Sequence, residues 1–170
     1  MRAFACAMPI AIRPMLPIDL AAVLQVQAAC YPPAMQEPAP IVSARLHAAR
    51  ATCLVGCDTD GVCGYLFAYP SRLGVVTDLG APFQVAGDAD TLYLHDLAID
   101  PRALGRGLAR MLVEQSGRLA GALGLPHAAL VSVQDSARFW HALGYRAAVT
   151  ADAGLQTYPP GAIYMVRSAA

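Results

Sequence analysis

Lysine is absent from this 170-residue chain: all twelve basic residues are arginine, and twelve Asp and Glu balance them to a net charge of zero. The absence excludes a Walker-type nucleotide loop, which must end in Gly-Lys-Ser/Thr. Charge of either sign is scarce, at 14% of residues, and no basic stripe with interleaved aromatics occurs, so nucleic acid is not an expected partner. Long hydrophobic runs are missing too. None approaches the roughly 20 residues of a membrane-spanning helix. Met1 to Met8 carries Arg2 and a few apolar residues, but Pro9, Arg13 and Pro14 interrupt it too early for a secretory signal core, which makes a cytoplasmic protein the expectation.

Five cysteines, Cys6, Cys30, Cys53, Cys57 and Cys63, form an odd set without C-x-x-C pairs. Cys53, Val55 and Cys57 would share one strand face and Cys63 lies on the next strand, which suits small buried hydrophobes. A metal site is not expected. What is abundant is alanine, at 34 residues, a bias expected of a GC-rich bacterial genome.

The length fits one domain, residues 1–170, able to bury a core without staples. The pattern predicts a short strand over Ile10 to Arg13, then a helix from Asp19 through Leu20, Val23, Leu24 and Ala28 that Pro32 and Pro33 stop. A second helix is predicted over Ile41 to Arg50. Thr52 to Cys57 and Val62 to Tyr69 read as a hairpin around Asp58-Thr59-Asp60-Gly61, closed by Pro70. After a long Gly- and Pro-rich connection comes a central strand, Thr91 to Ile99. A helix over Leu108 to Gly124 would turn Leu108, Met111, Leu112, Leu119 and Leu123 to the sheet. Strands over His127 to Val133, Arg146 to Val149 and Ala162 to Val166 complete the chain.

Residues 97 to 110 run from the central strand through a glycine-spaced turn into a helix. Gly105 and Gly107 carry no side chain to keep a ligand from the main chain, so several N–H groups can point at one anion. The helix brings its positive end to the same spot. A dinucleotide fingerprint is excluded, because Gly105-x-Gly107-x-x-Arg110 lacks the third glycine and Asp100-Pro101 separates it from the strand.

Leu104-Gly105-Arg106-Gly107-Leu108-Ala109 resembles the acyl-CoA loop of the GNAT superfamily of N-acetyltransferases, Gln/Arg-x-x-Gly-x-Gly/Ala after a Leu-Ala-Val strand and an acidic-proline step. Leu104 replaces the usual polar first residue, which helps hold the loop by hydrogen bonds; Arg102, Arg106 and Arg110 supply charge nearby. About thirty residues on, Gln134 to Tyr145 resembles the superfamily's later motif, a short helix with an aromatic pair ending in Leu-Gly-Phe/Tyr. Gly144 sits where a C-cap glycine is expected. The resemblance spans most of the chain. It implies an α/β sandwich with a mixed, largely antiparallel central sheet of six to seven strands, about four helices, and a splay between the central strands.

The same resemblance implies acetyl-CoA as co-substrate. Leu97, Ala98 and Ile99 would bond the pantetheine and the thioester oxygen, Gly105, Arg106, Gly107, Leu108, Ala109 and Arg110 would hold the pyrophosphate, and Ser136, Phe139 and Trp140 would border the arm. In the strand Leu92 to Ile99, His95 and Asp96 are two ionisable residues in an apolar run, and alternation sends them to opposite faces unless a bulge rotates Asp96. Tyr93 and His95 share a face. His95 matches the position where related enzymes carry a cleft histidine or glutamate, and an imidazole can accept an ammonium proton; a buried, hydrogen-bonded sheet histidine is the plainer reading. Asp96 is either a second candidate base or a structural carboxylate held by backbone N–H groups or an arginine.

Trp140 stands where the family's thiolate-protonating tyrosine is expected, and an indole can donate a hydrogen bond but not a proton. Ser136 and Tyr145 are the nearby hydroxyls, and an unassisted thiolate is a tolerable leaving group. Tyr31, Met35, Tyr69, Phe83 and Tyr93 are candidates for an acceptor pocket, or are core. The expectation is an acetyl-CoA-dependent N-acetyltransferase that delivers acetyl to a primary amine of a small molecule or peptide N-terminus by direct attack in a ternary complex, without a metal, as monomer or homodimer. The alternative is an acyl-CoA-binding domain that has lost proton transfer. A third possibility is transfer of a longer acyl group.

Overall fold

Thr91–Ile99 is a nearly continuous apolar run, and this strand, covered on both faces, forms the middle of a seven-stranded sheet in the computed structural model, which describes residues 9–168. The strands are β1 (Ala11–Pro14), β2 (Leu54–Asp58), β3 (Gly61–Ser71), β4 (Thr91–Ile99), β5 (His127–Ser132), β6 (Arg146–Ala147) and β7 (Ile163–Ser168), in the spatial order β1-β2-β3-β4-β5-β7-β6. Every neighbouring pair is antiparallel except β4 with β5. That parallel pair requires a crossover, which the helix α3 (Leu108–Ala122) supplies.

The sheet separates two cores. On one face α1 (Leu20–Cys30) and α2 (Ala39–Ala48) pack Val23, Val26, Val42 and Leu46 against Tyr65, Phe67, Tyr69 and Tyr93. On the other, α3 and α4 (Ala137–Ala142) pack Leu108, Leu112, Val113 and Trp140 against Leu66, Leu92, Leu94 and Leu130. Each leucine buried in this way contributes about 1.5–3 kcal/mol. Gly56 and Gly64 let α3 come close: a Cβ on either would stand 2.4 or 2.8 Å from the Leu108 side chain. Both are glycine so that the first residue of α3 can press into the sheet.

Several expectations need correction. Pro70 does not close the hairpin; it lies within β3 opposite Leu92. It is tolerated there because β2 stops pairing at Leu54 with Leu66, which leaves β3 a single neighbour at Pro70. Met111 and Leu123 do not face the sheet but are 38% and 50% exposed. The buried stripe of α3 runs through Leu108, Leu112, Ser116 and Ala120, and Leu123 lies past the last turn. The predicted strand Arg146 to Val149 is only two residues long. Cys53 and Cys63 are buried and Cys30 and Cys57 half-buried, while Cys6 and the stretch Met1 to Met8 lie outside the described residues.

Candidate functional site

Parallel pairing between β4 and β5 runs from Thr91 with His127 to Leu94 with Leu130 and ends there, although β4 continues to Ile99. The two strands therefore splay from His95 onward. The wedge between them holds a cavity of about 280 Å³, walled by Leu97, Ala98 and Ile99 on one side, Leu130, Val131 and Val133 on the other, and Ser136, Phe139 and Trp140 at its base. It continues past Ile99, Leu104 and Phe139 into a groove of about 320 Å³ over Gly105, Gly107, Leu108, Ala109 and Arg110.

That groove is built to take an anion. Gly105 and Gly107 have φ of +76° and +78°, left-handed values that glycine adopts without strain, and nothing lies within 4 Å of where a Cβ would stand. Gly107 is the N-cap of α3 and has no side chain to cap it, and Met111 N is the first to bond back, to Gly107 O at 3.1 Å. The N–H groups of Leu108, Ala109 and Arg110 thus have no helical acceptor. They lie at the positive end of the helix dipole, where an anion is favoured. An apolar wedge with a bare strand edge leading to such an anion cradle fits an acyl-pantetheine arm ending in a pyrophosphate.

Two of the three loop arginines are engaged behind the cradle. Arg106 Nη1 donates to Asp58 Oδ2 at 2.8 Å, and Arg102 Nη1 to Asp58 Oδ1 at 3.0 Å. Asp58 ends β2, and these guanidinium groups, with the Asp60 N–H, outweigh burial and hold its carboxyl down at about 2. These bonds tie the loop, whose Leu104 is exposed, to the β2–β3 hairpin. Of the basic residues near the loop, Arg110 lines the groove.

At the other end of the wedge, β4 carries a bulge. Phe67 pairs with Asp96 while the next residue, Ala68, pairs with Leu94, so His95 is an extra residue. The bulge inverts the alternation: Tyr93 belongs to the α1/α2 core, and so does Ala98, whereas Leu94, Leu97 and Ile99 pack on the other face. Asp96 thereby stays on the face of His95. Its carboxylate is held by neither arginine nor backbone but by two phenols, Tyr31 Oη donating to Oδ1 at 2.8 Å and Tyr65 Oη to Oδ2 at 2.7 Å. Burial raises the Asp96 carboxyl above the usual range against the pull of Tyr65, His95 and Tyr31. Burial and the Asp96 charge raise the Tyr31 phenol well above its usual range, so it stays protonated.

The His95 imidazole, 2% exposed, is clamped between elements distant in sequence. Its Nε2 lies 3.3 Å from Glu37 Oε2, and its Nδ1 lies 3.4 Å from the hydroxyl of Tyr158, which itself donates to Thr77 O at 2.8 Å. Glu37 also accepts from Arg45, through Nη1 to Oε2 and through Nη2 to Oε1 at 2.6 Å, and from Gly80 N at 2.7 Å. Although burial opposes it, His95 and Arg45 hold the Glu37 carboxyl down at about 2. Arg45 also donates to Ala81 O, from Nε at 2.9 Å and Nη2 at 2.6 Å.

Tyr31, His95, Asp96, Val131 and Val133 line both the wedge and a smaller pocket of about 30 Å³ that reaches Met35, Glu37, Leu79 and Tyr158. The junction of the two cavities is therefore the place where His95 and Asp96 stand together. Tyr93 is not brought there: it is fully buried beside His95, with ring centroids 6.2 Å apart. Tyr69 and Phe83 stack on each other at 4.3 Å inside the core, while Tyr31 and Met35 reach the small pocket. Tyr145 is core as well, edge-on to Trp140 at 5.4 Å. Ser136 Oγ donates to Val133 O at 2.7 Å and accepts from Trp140 Nε1 at 3.2 Å.

Glu37, Arg45, Tyr65 and Tyr158 were missed in the sequence because no motif contains them; the one signal was a carboxylate and an arginine eight residues apart flanking the start of an apolar helix. Among the described residues no group of three or more His, Cys, Asp or Glu is arranged to hold a metal ion, and no helix is long and apolar enough to cross a membrane.

The model of the acetyltransferase (GNAT) family matches residues 20–145. Among curated proteins no sequence matches the chain. Solved structures share the fold at low identity. The ribosomal-protein-S18-alanine N-acetyltransferase from Escherichia coli is 17% identical with a TM-score of 0.69, over 94% of this chain and 94% of that one. The PaiA N-acetyltransferase from Thermoplasma acidophilum in complex with coenzyme A is 12% identical with a TM-score of 0.72, over 95% and 100%. The GphF GNAT-like decarboxylase in complex with isobutyryl-CoA is 16% identical with a TM-score of 0.77, over 93% and 98%.

Proposed function

For a chain that belongs to the GNAT acetyltransferase family, we propose an acetyl-CoA-dependent N-acetyltransferase that moves an acetyl group to a primary amine by direct attack in a ternary complex, without a metal and in the cytoplasm. The observation that carries this reading is the junction: the wedge that suits the acyl arm and the pocket open to an acceptor meet at two ionisable side chains. Acetyl-CoA supplies the thioester.

The chain's residues supply the rest. The β4 edge at Leu97, Ala98 and Ile99, which has no β5 partner and whose Leu97 and Ile99 carbonyls take Tyr31 Oη and Cys30 Sγ, offers its remaining main-chain groups to the arm and to the carbonyl oxygen, and the cradle from Gly105 to Arg110 receives the pyrophosphate. Asp96, with its raised pKa, or His95 accepts the ammonium proton. Trp140 Nε1, bonded to Ser136, cannot protonate a thiolate. Tyr31 is the hydroxyl common to both cavities, and its proton, shared between Asp96 Oδ1 and Leu97 O, is the one available there.

Calorimetric titration with acetyl-CoA, with ATP as comparator, followed by a thiol-release screen of amines, tests the proposal. Micromolar binding selective for acetyl-CoA and amine-dependent thiol release are expected. A second reading, an acyl-CoA-binding domain that does not turn over, is favoured by Trp140 alone. Selective binding without thiol release from any amine would establish it instead.

A further inference from the structure

A separate cavity of about 470 Å³, larger than the wedge, opens where β3 ends and the chain sets out toward β4, and it shares no residue with the wedge, the small pocket or the cradle. Its charged lining is Arg72, Asp78 and Asp152. Arg72 is held by Asp88, whose Oδ1 lies 2.7 Å from Nε and 2.6 Å from Nη2, whereas neither Asp78 nor Asp152 is ion-paired among the described residues. The cavity is therefore acidic.

Its two carboxylates converge. An oxygen of each, with the main-chain oxygen of Val76, lies within 3.0 Å of one point, the place a Cβ on Gly154 would take. Three acceptor oxygens gathered in one corner, two of them charged, suit the three N–H donors of a primary ammonium. Ser71 adds an independent signal. It is 2% exposed and lines the cavity, and its hydroxyl has no hydrogen-bond partner among the described residues. A buried hydroxyl left in this way is costly, and a ligand with polar groups on its body supplies the missing partner.

The wall between this cavity and His95 is the stretch from Thr77 to Ala81. Thr77 and Ala81 line the cavity, while Leu79 lines the small pocket on the other side. Thr77 O accepts from Tyr158 Oη, which lies 3.4 Å from His95 Nδ1, and Ala81 O accepts from Arg45, which holds Glu37 against His95 Nε2. Both arms of the His95 clamp are thus anchored on that wall.

We propose that this cavity is a second ligand site, taking a primary organic ammonium on a polar body, and that its occupant acts on His95 through the wall Thr77 to Ala81. The site stands apart from the acetyl-transfer reading and binds whether or not the thioester turns over.

Calorimetric titration of the CoA-saturated protein with glucosamine, and with glucose as the probe carrying a hydroxyl in place of the ammonium, tests this. Glucosamine should bind at least ~10-fold more tightly than glucose. In the double variant Asp78→Asn, Asp152→Asn that preference should vanish; the Asp152 replacement keeps an oxygen for the Gly154 N–H, which Asp152 Oδ1 accepts at 2.8 Å. If circular dichroism shows the double variant unfolded, Asp78→Asn, at an exposed position, is read in its place. A variant that binds glucosamine as the parent does overturns the proposal, as do equal binding of glucose and no binding of either. Bound glucosamine should also move the imidazole NMR signals of His95, identified by their loss in His95→Ala. Binding that leaves those signals in place overturns the coupling.

Discussion

Asp96 follows His95 in sequence yet leaves β4 on the same face, because the bulge at His95 sets Phe67 opposite Asp96 and Ala68 opposite Leu94. Without that one extra residue Asp96 would point into the α3 core, and the phenols of Tyr31 and Tyr65 would have no carboxylate between them. The bulge thus makes one site of two neighbours that a regular strand would separate.

Replacement of these two residues should be distinguishable by pH. Burial holds the Asp96 carboxyl above its usual value, so activity that needs the carboxylate falls as pH drops through that raised value. Asp96→Asn should lower kcat about 100-fold or more and remove this acid limb, the amide keeping its place between the two phenols. His95→Ala should cost more at neutral than at high pH, where the amine is already neutral. A uniform loss at every pH would make His95 a positioning residue.

The cradle depends on left-handed backbone at Gly107. Gly107→Val strains that φ of +78° by about 1–2 kcal/mol and places methyl groups over the anion position. Affinity for acetyl-CoA should drop at least ~10-fold by calorimetry, with the fold retained by circular dichroism. Unchanged affinity would remove the cradle from the argument.

Asp58 acts on the same loop from behind. Asp58→Asn releases Arg102 and Arg106 from their shared carboxylate, so KM for acetyl-CoA should rise several-fold while kcat and KM for the amine stay as they were. A loss confined to kcat would contradict this role.

Glu37 links the small pocket to stability. Its carboxyl is held at about 2, below its unfolded value, so the stabilisation is complete above the ordinary glutamate range and is lost as pH falls from about 4.5 toward about 2. Glu37→Gln strands the fully buried Arg45 guanidinium and should cost about 3–5 kcal/mol, read as a lower Tm at pH 7. It should also flatten the acid slope of Tm. A Tm within 1–2 °C of the parent would show that the pair is not stabilising.

Local chemistry determined much of this protein in advance. The strand Thr91–Ile99, the glycine-spaced turn and the helix behind it follow from a strand-length apolar run, glycine's freedom at positive φ and helix periodicity, all properties of contiguous residues. The later motif around Trp140 and Gly144 is local for the same reason, as is the Asp-Gly hairpin. Tertiary structure alone decided where the chemistry gathers. A bulge depends on the register with β3, so Asp96 could not be aimed from β4 by itself. Tyr31, Glu37 and Tyr158 reach Asp96 or His95 from the α1–α2 connection and the segment before β7, separations of 58 to 65 residues that no spacing rule spans, and Arg45 of α2 joins them through Glu37. Gly56 and Gly64 show the same division: their sequence announces flexible backbone, whereas packing against Leu108 is what requires them. Sequence sets conformation where the interacting atoms are neighbours in the chain, and the fold decides wherever a buried charge must find its partner across the sheet.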